Sequence, residues 1–369
     1  MRKAHRVLKE TCGYGLEVMA EIEYYVIAAK EDIYRAGDQK GYHASTPFVK
    51  WEQLRTEAMQ AIVNCGGQIK YGHSEVGNFS DGDYDYEQHE IEFLPAAVED
   101  AADQVLIAKW ILRETAYRYG VTVSFAPKIS TGNAGSGMHI HIRPVKNGKN
   151  MTLVKGELSD TAKKIIAGIL KLAPALCAFG NTVPTSYFRL VPHQEAPTNI
   201  CWGMRNRSAL IRVPLGWEDT GDMSAKANPL EAARTLDTRS RQTFEFRSPD
   251  GSADIFLLIA GICVAAHYGL TMPDGEEFAR KTYVDVNIFK EKYNDRQKGL
   301  AALPGSCKAA ADALLAKADI FRKYGVFPNE ALRGISNKLF SYKDAEIQAD
   351  IRGNKEKTHK LVKKYLHCG

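Results

Sequence analysis

Four separated segments of this chain alternate apolar side chains with charged or imidazole ones, and only an extended strand turns a two-residue period into two distinct faces. Glu17–Ile27 sets Ile22, Tyr24 and Val26 on one face and Glu21, Glu23 and Tyr25 on the other. The segment EQHEIEF at 87–93 groups Gln88, Glu90 and Glu92. Met138–Ile142 groups His139 and His141 against Met138, Ile140 and Ile142, and Thr243–Arg247 sets Glu245 and Arg247 against Phe244 and Phe246. A further strand carries His73 and Glu75. Each alternation alone equally describes a solvated strand face. Together they present Glu21, Glu23, Glu75, Glu90, His139 and Glu245 on faces that line one surface if the strands share a sheet. Carboxylates grouped that way repel one another unless protonated or neutralised by cations. Oxygen ligands with one imidazole suit Mg²⁺ or Mn²⁺ rather than zinc or copper.

Tyr187–Pro214 supplies the opposite charge, with Arg189, Arg205, Arg207 and Arg212 set among short apolar runs beside Glu195. Asn199–Trp202 and Ser208–Val213 read as strands and Gly203–Arg207 as a tight connection. Guanidinium holds phosphate or carboxylate through a two-pronged fork. The stretch is therefore either a solvated basic hairpin or one side of an anion site. Facing a carboxylate cluster, it completes the pattern of a two-cation phosphoryl-transfer site, with Arg207, Arg212 and Arg247 holding charge that the metals leave.

Around these strands, helical spacing is read at Met1–Tyr14, Trp51–Asn64, Pro95–Tyr119, Leu158–Phe179, Ala253–Leu270, Cys307–Tyr324 and Lys343–His367, with a short helix at Pro229–Leu236. Ala28–Val49 and the acidic Asn78–Tyr86 read as loops. Thr131–Gly137 is a glycine-rich turn that feeds a strand, not a helix, so it is neither a Walker loop nor a Rossmann turn. The chain has 369 residues, and no composition shift or linker divides it. A net charge of +5 is too small and dispersed to argue for nucleic acid, and no run reaches transmembrane length or forms a signal core. Seven scattered cysteines without a C-x-x-C pair suggest neither disulfides nor a zinc site, so a reduced cytoplasmic protein is expected.

The motifs themselves carry a resemblance. GSGMHIH at 135–141, RLVPHQEAP at 189–197, RNRSALIRVP at 205–214 and FEFRSPDGSAD at 244–254 resemble the catalytic domain of glutamine synthetases. EIEYY at 21–25, HSEVG at 73–77 and EQHEI at 87–91 match in the same order, so the resemblance spans nearly the whole chain. It implies an α+β fold over residues 1–369, with a curved antiparallel sheet backed by helices and forming a funnel. It further implies one metal on Glu23, Glu75 and Glu90 and another on Glu21, His139 and Glu245. His141 would approach the ATP phosphates, with Tyr42 nearby. Arg207, Arg212 and Arg247 would hold the transferring phosphoryl group, and Arg189 and Gly135 would contact the amino-acid substrate. Glu195 would sit on a flap and take a proton from ammonium. The implied reaction joins L-glutamate and ammonia through a γ-glutamyl phosphate, using ATP and Mg²⁺ or Mn²⁺. The implied assembly is a homo-oligomeric ring where the family's N-terminal domain is supplied, with no nucleic-acid or membrane partner.

The chain departs from the family pattern in places. The family's preceding β-grasp domain is not in this sequence. Ala134 stands where the family has Asn, and Thr243 where it has Arg, with Arg241 nearby. The gap between Glu75 and Glu90 is longer, and Asp254-Ile255-Phe256 replaces an Asn-Pro-Tyr. These departures leave two alternatives open: a γ-glutamyl ligase for a larger amine, and a binding or structural member without turnover.

Overall fold

A computed structural model describes all residues except 35–36, 192–195, 217–220, 236–240, 291–297 and 346–353. Its centre is the longest strand, β1 (Gly15–Ala29), which pairs antiparallel with β3 (Tyr84–Phe93) on one side. On the other side it pairs with β6 (Met138–Lys146). β2 (Ile69–Asp81) extends the sheet beyond β3, while β12 (Phe244–Phe246), β11 (Ile211–Val213) and β10 (Trp202–Met204) extend it beyond β6. Two short strands, β4 (Ala96–Ala97) and β5 (Thr122–Ser124), add to β1. β7 (Lys149–Asn150) adds to β6, and β8 (Leu153–Val154) pairs β9 (Glu157–Leu158) in a separate hairpin. Among the described strands, all neighbours run antiparallel except β10 and β11.

The alternation read from the sequence sets the layers. Ile22, Tyr24 and Val26 of β1, Ile91 and Phe93 of β3, Met138, Ile140 and Ile142 of β6, and Phe244 and Phe246 of β12 all enter one continuous core. That core is closed by α1 (Arg2–Cys12), α2 (Glu52–Asn64), α3 (Val98–Arg118), α4 (Asp160–Gly180), the short α5 (Ser186–Arg189) and α7 (Ile255–Thr271). α7 is apolar all round because it is buried between α4, α1 and α3. Asp254 starts it, accepting the Leu257 N–H at 3.1 Å. α4 and α7 approach so closely that a Cβ on Gly269 would strike the Lys164 carbonyl and Gly168 backbone. No single described helix is long and apolar enough to cross a membrane.

Several elements differ from the sequence expectation. Asn78–Tyr86 is not a loop but the tip of the β2–β3 hairpin, turned at Gly82 with φ 57°. Its tyrosines and Phe79 supplied strand propensity that the acidic residues masked. The 199–213 stretch is not an antiparallel hairpin, because β10 and β11 pair in parallel. Asn206 braces the link between them, donating to the Val284 and Val286 carbonyls at 3.1 and 2.8 Å and accepting from the Ser208 N–H at 3.0 Å. The short helix expected at Pro229–Leu236 lies earlier, at α6 (Met223–Ala227), where Asp222 caps it by accepting from Ala225. Cys307–Tyr324 is broken into Cys307–Ala316 and Ala318–Arg322. Of Lys343–His367, a helix is described at Lys355–Lys364, begun by Asn354 accepting from Lys357.

Candidate metal and phosphate site

Strand register carries the acidic residues together. Opposite one another stand Glu21 and His139 on β1 and β6, Glu23 and Glu90 on β1 and β3, and His73 and Glu90 on β2 and β3. Glu245 lies opposite His141 on one side and Arg212 on the other. A one-residue slip in any strand would send these groups into the core. The face they form opens into a cavity of about 890 Å³, lined by Glu21, Glu23, Glu75, Glu90, His139 and Glu245. Arg189, Arg207, Arg212 and Arg247, with Gly135 and Tyr42, line the same cavity. Arg205, although grouped with these arginines in sequence, is exposed and outside that lining. Glu195 lies outside the described residues.

Glu21, His139 and Glu245 form a group whose ligand atoms all lie within 4.8 Å of one another. His139 Nδ1 is 2.9 Å from Glu21 Oε2 and 3.4 Å from Glu245 Oε1. Glu245 is 1% exposed and clasped by two guanidiniums, Arg247 Nε at 2.8 Å and Arg212 Nε at 3.0 Å. Burial and the Glu21 charge push its carboxyl up, but Arg247, Arg212 and His141 outweigh them and hold it below the usual range. Glu21 behaves alike: burial opposes its charge, yet His141 and His139 keep it well below the usual carboxylate range.

The second group is His73, Glu90 and Glu92, again within 4.8 Å. Glu23 and Glu75 stand beside it in the cavity, with His73 3.3 Å from Glu90 and 3.8 Å from Glu75. Sequence reasoning had not singled out His73 and Glu92 as ligands, although their phase on β2 and β3 is that of the cavity face. Glu92 is partly satisfied by Lys70 at 2.6 Å and by the Tyr71 hydroxyl. Among the described residues, no lysine or arginine pairs with Glu90. Burial, then the charges of Glu21, Glu23, Glu75 and Glu92, raise its carboxyl well above the usual range. The donor set, mostly carboxylate oxygen with imidazole, fits hard divalent ions.

His141 stands behind this surface. Its Nε2 is 2.7 Å from Glu21 Oε1 and its Nδ1 is 2.8 Å from the Thr243 hydroxyl. Thr243 thereby acquires a role that its place in the motif did not reveal. Arg189 is 5% exposed and donates to the Ser248 and Pro249 carbonyls at 2.9 and 3.3 Å. The glycine-rich turn packs against it: a Cβ on Gly135 would sit 2.6 Å from the Pro127 carbonyl and 3.0 Å from Arg189 Cγ. Arg247 also donates to the Arg207 carbonyl, and the Arg207 side chain is hydrogen-bonded with Tyr42. Backbone carbonyls and the Glu245 carboxylate, accepting from these side chains, thus fix a row of guanidiniums beside a carboxylate surface.

An open, largely antiparallel sheet that carries groups able to hold a metal ion, and arginines, on one face, with helices on the other, defines the class. A family profile described as "Glutamine synthetase, catalytic domain" matches residues 1–352, and the chain belongs to the glutamine synthetase family. It is 33% identical over 315 residues to a glutamine synthetase of Thermococcus kodakarensis, covering 85% of this chain and 62% of that protein. It is 35% identical over 280 residues to one of Pyrococcus abyssi, covering 75% and 56%. The chain thus spans about three fifths of the length of the curated relatives it matches. The fold is similar to a Plasmodium falciparum glutamine synthetase, with TM-score 0.74 and 20% identity over 94% of this chain and 76% of the other. A structure titled a novel glutamine synthase homolog gives TM-score 0.71 at 20% identity, over 98% and 73%.

Proposed function

We propose that the protein ligates L-glutamate to ammonia at the expense of ATP, through a γ-glutamyl phosphate. The observation that carries this reading is Glu245, at once part of a group able to hold a metal ion and clasped by two arginines. Such a residue joins a cation site to a phosphate site within one cavity. Carboxylate is a poor acceptor for an amine, and transfer of the terminal phosphoryl group of ATP makes it a good one. That transfer brings two anions together. Divalent cations held by Glu21, His139 and Glu245, and by Glu23, Glu75 and Glu90 with His73 and Glu92 beside them, would neutralise phosphate oxygens. Arg207, Arg212 and Arg247 would hold the remaining charge, with Arg189 set to meet the amino-acid carboxylate. Ammonia then attacks the acyl carbon and phosphate leaves, with Glu195 taking the proton from the incoming ammonium.

Hydroxylamine in place of ammonia tests this directly. Glutamate, ATP and Mg²⁺ with the purified protein should yield γ-glutamyl hydroxamate, read as its ferric complex. Hydroxamate formed equally without ATP, or ATP hydrolysed without glutamate dependence, would contradict the reading.

A further inference from the structure

The carboxylate of Glu23 is held unevenly. Its Oε2 accepts the Gly137 N–H at 2.8 Å and the Gln88 amide at 3.3 Å, whereas its Oε1 faces His139 Nε2 at 3.8 Å. We propose that Gln88 is a positioning residue that fixes Glu23 as a one-oxygen ligand, tying Oε2 to the glycine-rich turn and presenting Oε1 to a cation. The inference rests on the metal-dependent reading above.

Gln88 is 1% exposed and sits on the cavity-side phase of β3. Its Nε2 reaches Glu23, the Gly135 carbonyl at 3.0 Å and the Ser136 hydroxyl at 3.3 Å. Its Oε1 accepts the Gly77 N–H on β2 at 3.0 Å. A carboxamide donates and accepts at one end, and this position uses both capacities. Glutamate here would lose the donors and set a second anion beside Glu23. Gly77 makes the reach possible, because a Cβ there would lie 2.5 Å from Gln88 Oε1 and would also strike the Tyr25 hydroxyl. That same Tyr25 hydroxyl donates to the Ala134 carbonyl at 2.9 Å. Two successive turn carbonyls, at Ala134 and Gly135, are thus pinned by Tyr25 and Gln88. The turn in turn delivers the Gly137 N–H to Glu23. One amide therefore sets both the approach of the turn and the orientation of the carboxylate. Outer partners of this kind orient the ligands of divalent-ion sites.

The test is Mn²⁺ binding by the full chain, followed by loss of the free-ion electron paramagnetic resonance signal, for wild type, Gln88→Met, Gln88→Glu and Ser136→Ala. This readout needs no turnover. Gln88→Met keeps the volume but removes every polar contact, and should weaken the tightest Mn²⁺ site by about 10- to 100-fold. Gln88→Glu should also weaken it. Ser136→Ala, which leaves the Glu23 contact, should change it by less than threefold. A purely structural role predicts lower melting temperatures with unchanged Mn²⁺ affinity in both Gln88 variants, and that result overturns the proposal. Should Gln88→Met fail to fold, Gln88→Glu alone decides. A wild-type protein that binds no Mn²⁺ removes the basis of both readings, while one that binds Mn²⁺ without ligating glutamate contradicts only the proposed reaction.

Discussion

His141 Nε2 stands 2.7 Å from Glu21 Oε1, inside the shell that holds a carboxylate at the floor of the cavity. With Nδ1 engaged by Thr243, the imidazole reaches a phosphate only by giving up one of these partners. Burial lowers its affinity for protons, but Glu21, with Glu245 and Glu92, outweighs burial and raises it.

His141→Ala is therefore expected to act on metal before nucleotide. Removing the Glu21 partner should weaken Mn²⁺ binding by about 10- to 100-fold. The KM for ATP, measured at saturating Mn²⁺, should change less. Thr243→Val, which leaves the Glu21 contact, should give a smaller shift in the same direction. A raised KM for ATP with unchanged metal binding would assign His141 to the phosphates.

Glu90 yields a pH prediction. Its carboxyl lies well above the usual 4.5 in the folded chain, through burial and four neighbouring carboxylates. The folded state then holds a proton that the unfolded state releases, so this group's contribution to stability falls as pH rises above the ordinary carboxylate range. The slope is at most about 1.4 kcal/mol per pH unit. In chelator, Glu90→Gln should melt progressively higher than wild type as pH rises above the ordinary carboxylate range. Added Mg²⁺ should narrow the gap by stabilising wild type more. A gap independent of pH would contradict the assignment.

Arg247 holds Glu245 from one side and the Arg207 carbonyl from the other. Arg247→Met leaves a buried carboxylate with one guanidinium fewer and should destabilise the chain by about 3 kcal/mol in chemical unfolding. Arg205→Met, an exposed position outside the cavity lining, should stay within about 0.5 kcal/mol. Equal losses would show that the clasp carries no special energy.

Gly135→Ala tests the fit of the turn to Arg189. The added Cβ meets a backbone carbonyl at 2.6 Å, so the turn must shift, and Arg189 with it. The expected result is a KM for glutamate raised about 10- to 100-fold, with a smaller change for ATP. An unchanged KM would remove Arg189 from substrate binding.

Much of this was legible because strand alternation is a local code. Glu21, Glu23, Glu90, His139 and Glu245 could be assigned to one face from phase alone, and their apolar neighbours to the core. What phase does not give is register. Whether Glu90 groups with Glu75 and Glu23, or most tightly with His73 and Glu92, depends on the irregularity in β2 between Ser74 and Asn78. The parallel pairing of β10 with β11 was hidden for a related reason, since it depends on Asn206 reaching backbone carbonyls at 284 and 286. Thr243, noted in the sequence only as a departure from the family pattern, and Gln88, placed only on a strand face, receive no role there because a neutral side chain shows its role only through the groups it touches. The acidic tip of the β2–β3 hairpin reads as a loop until its aromatic residues are seen stacking, Phe79 on Tyr86 with centroids 4.6 Å apart.

The central claim is that one cavity joins glutamate activation by ATP to capture of ammonia, and phosphate release is the direct measurement. With ATP, Mg²⁺ and L-glutamate, the purified protein should release phosphate in an ammonium-dependent manner, with one glutamine formed per phosphate. Glu195→Ala should abolish the ammonium dependence. Phosphate release that ignores both glutamate and ammonium, or no release by a chain that still binds ATP and Mn²⁺, would contradict the account for this protein as it stands.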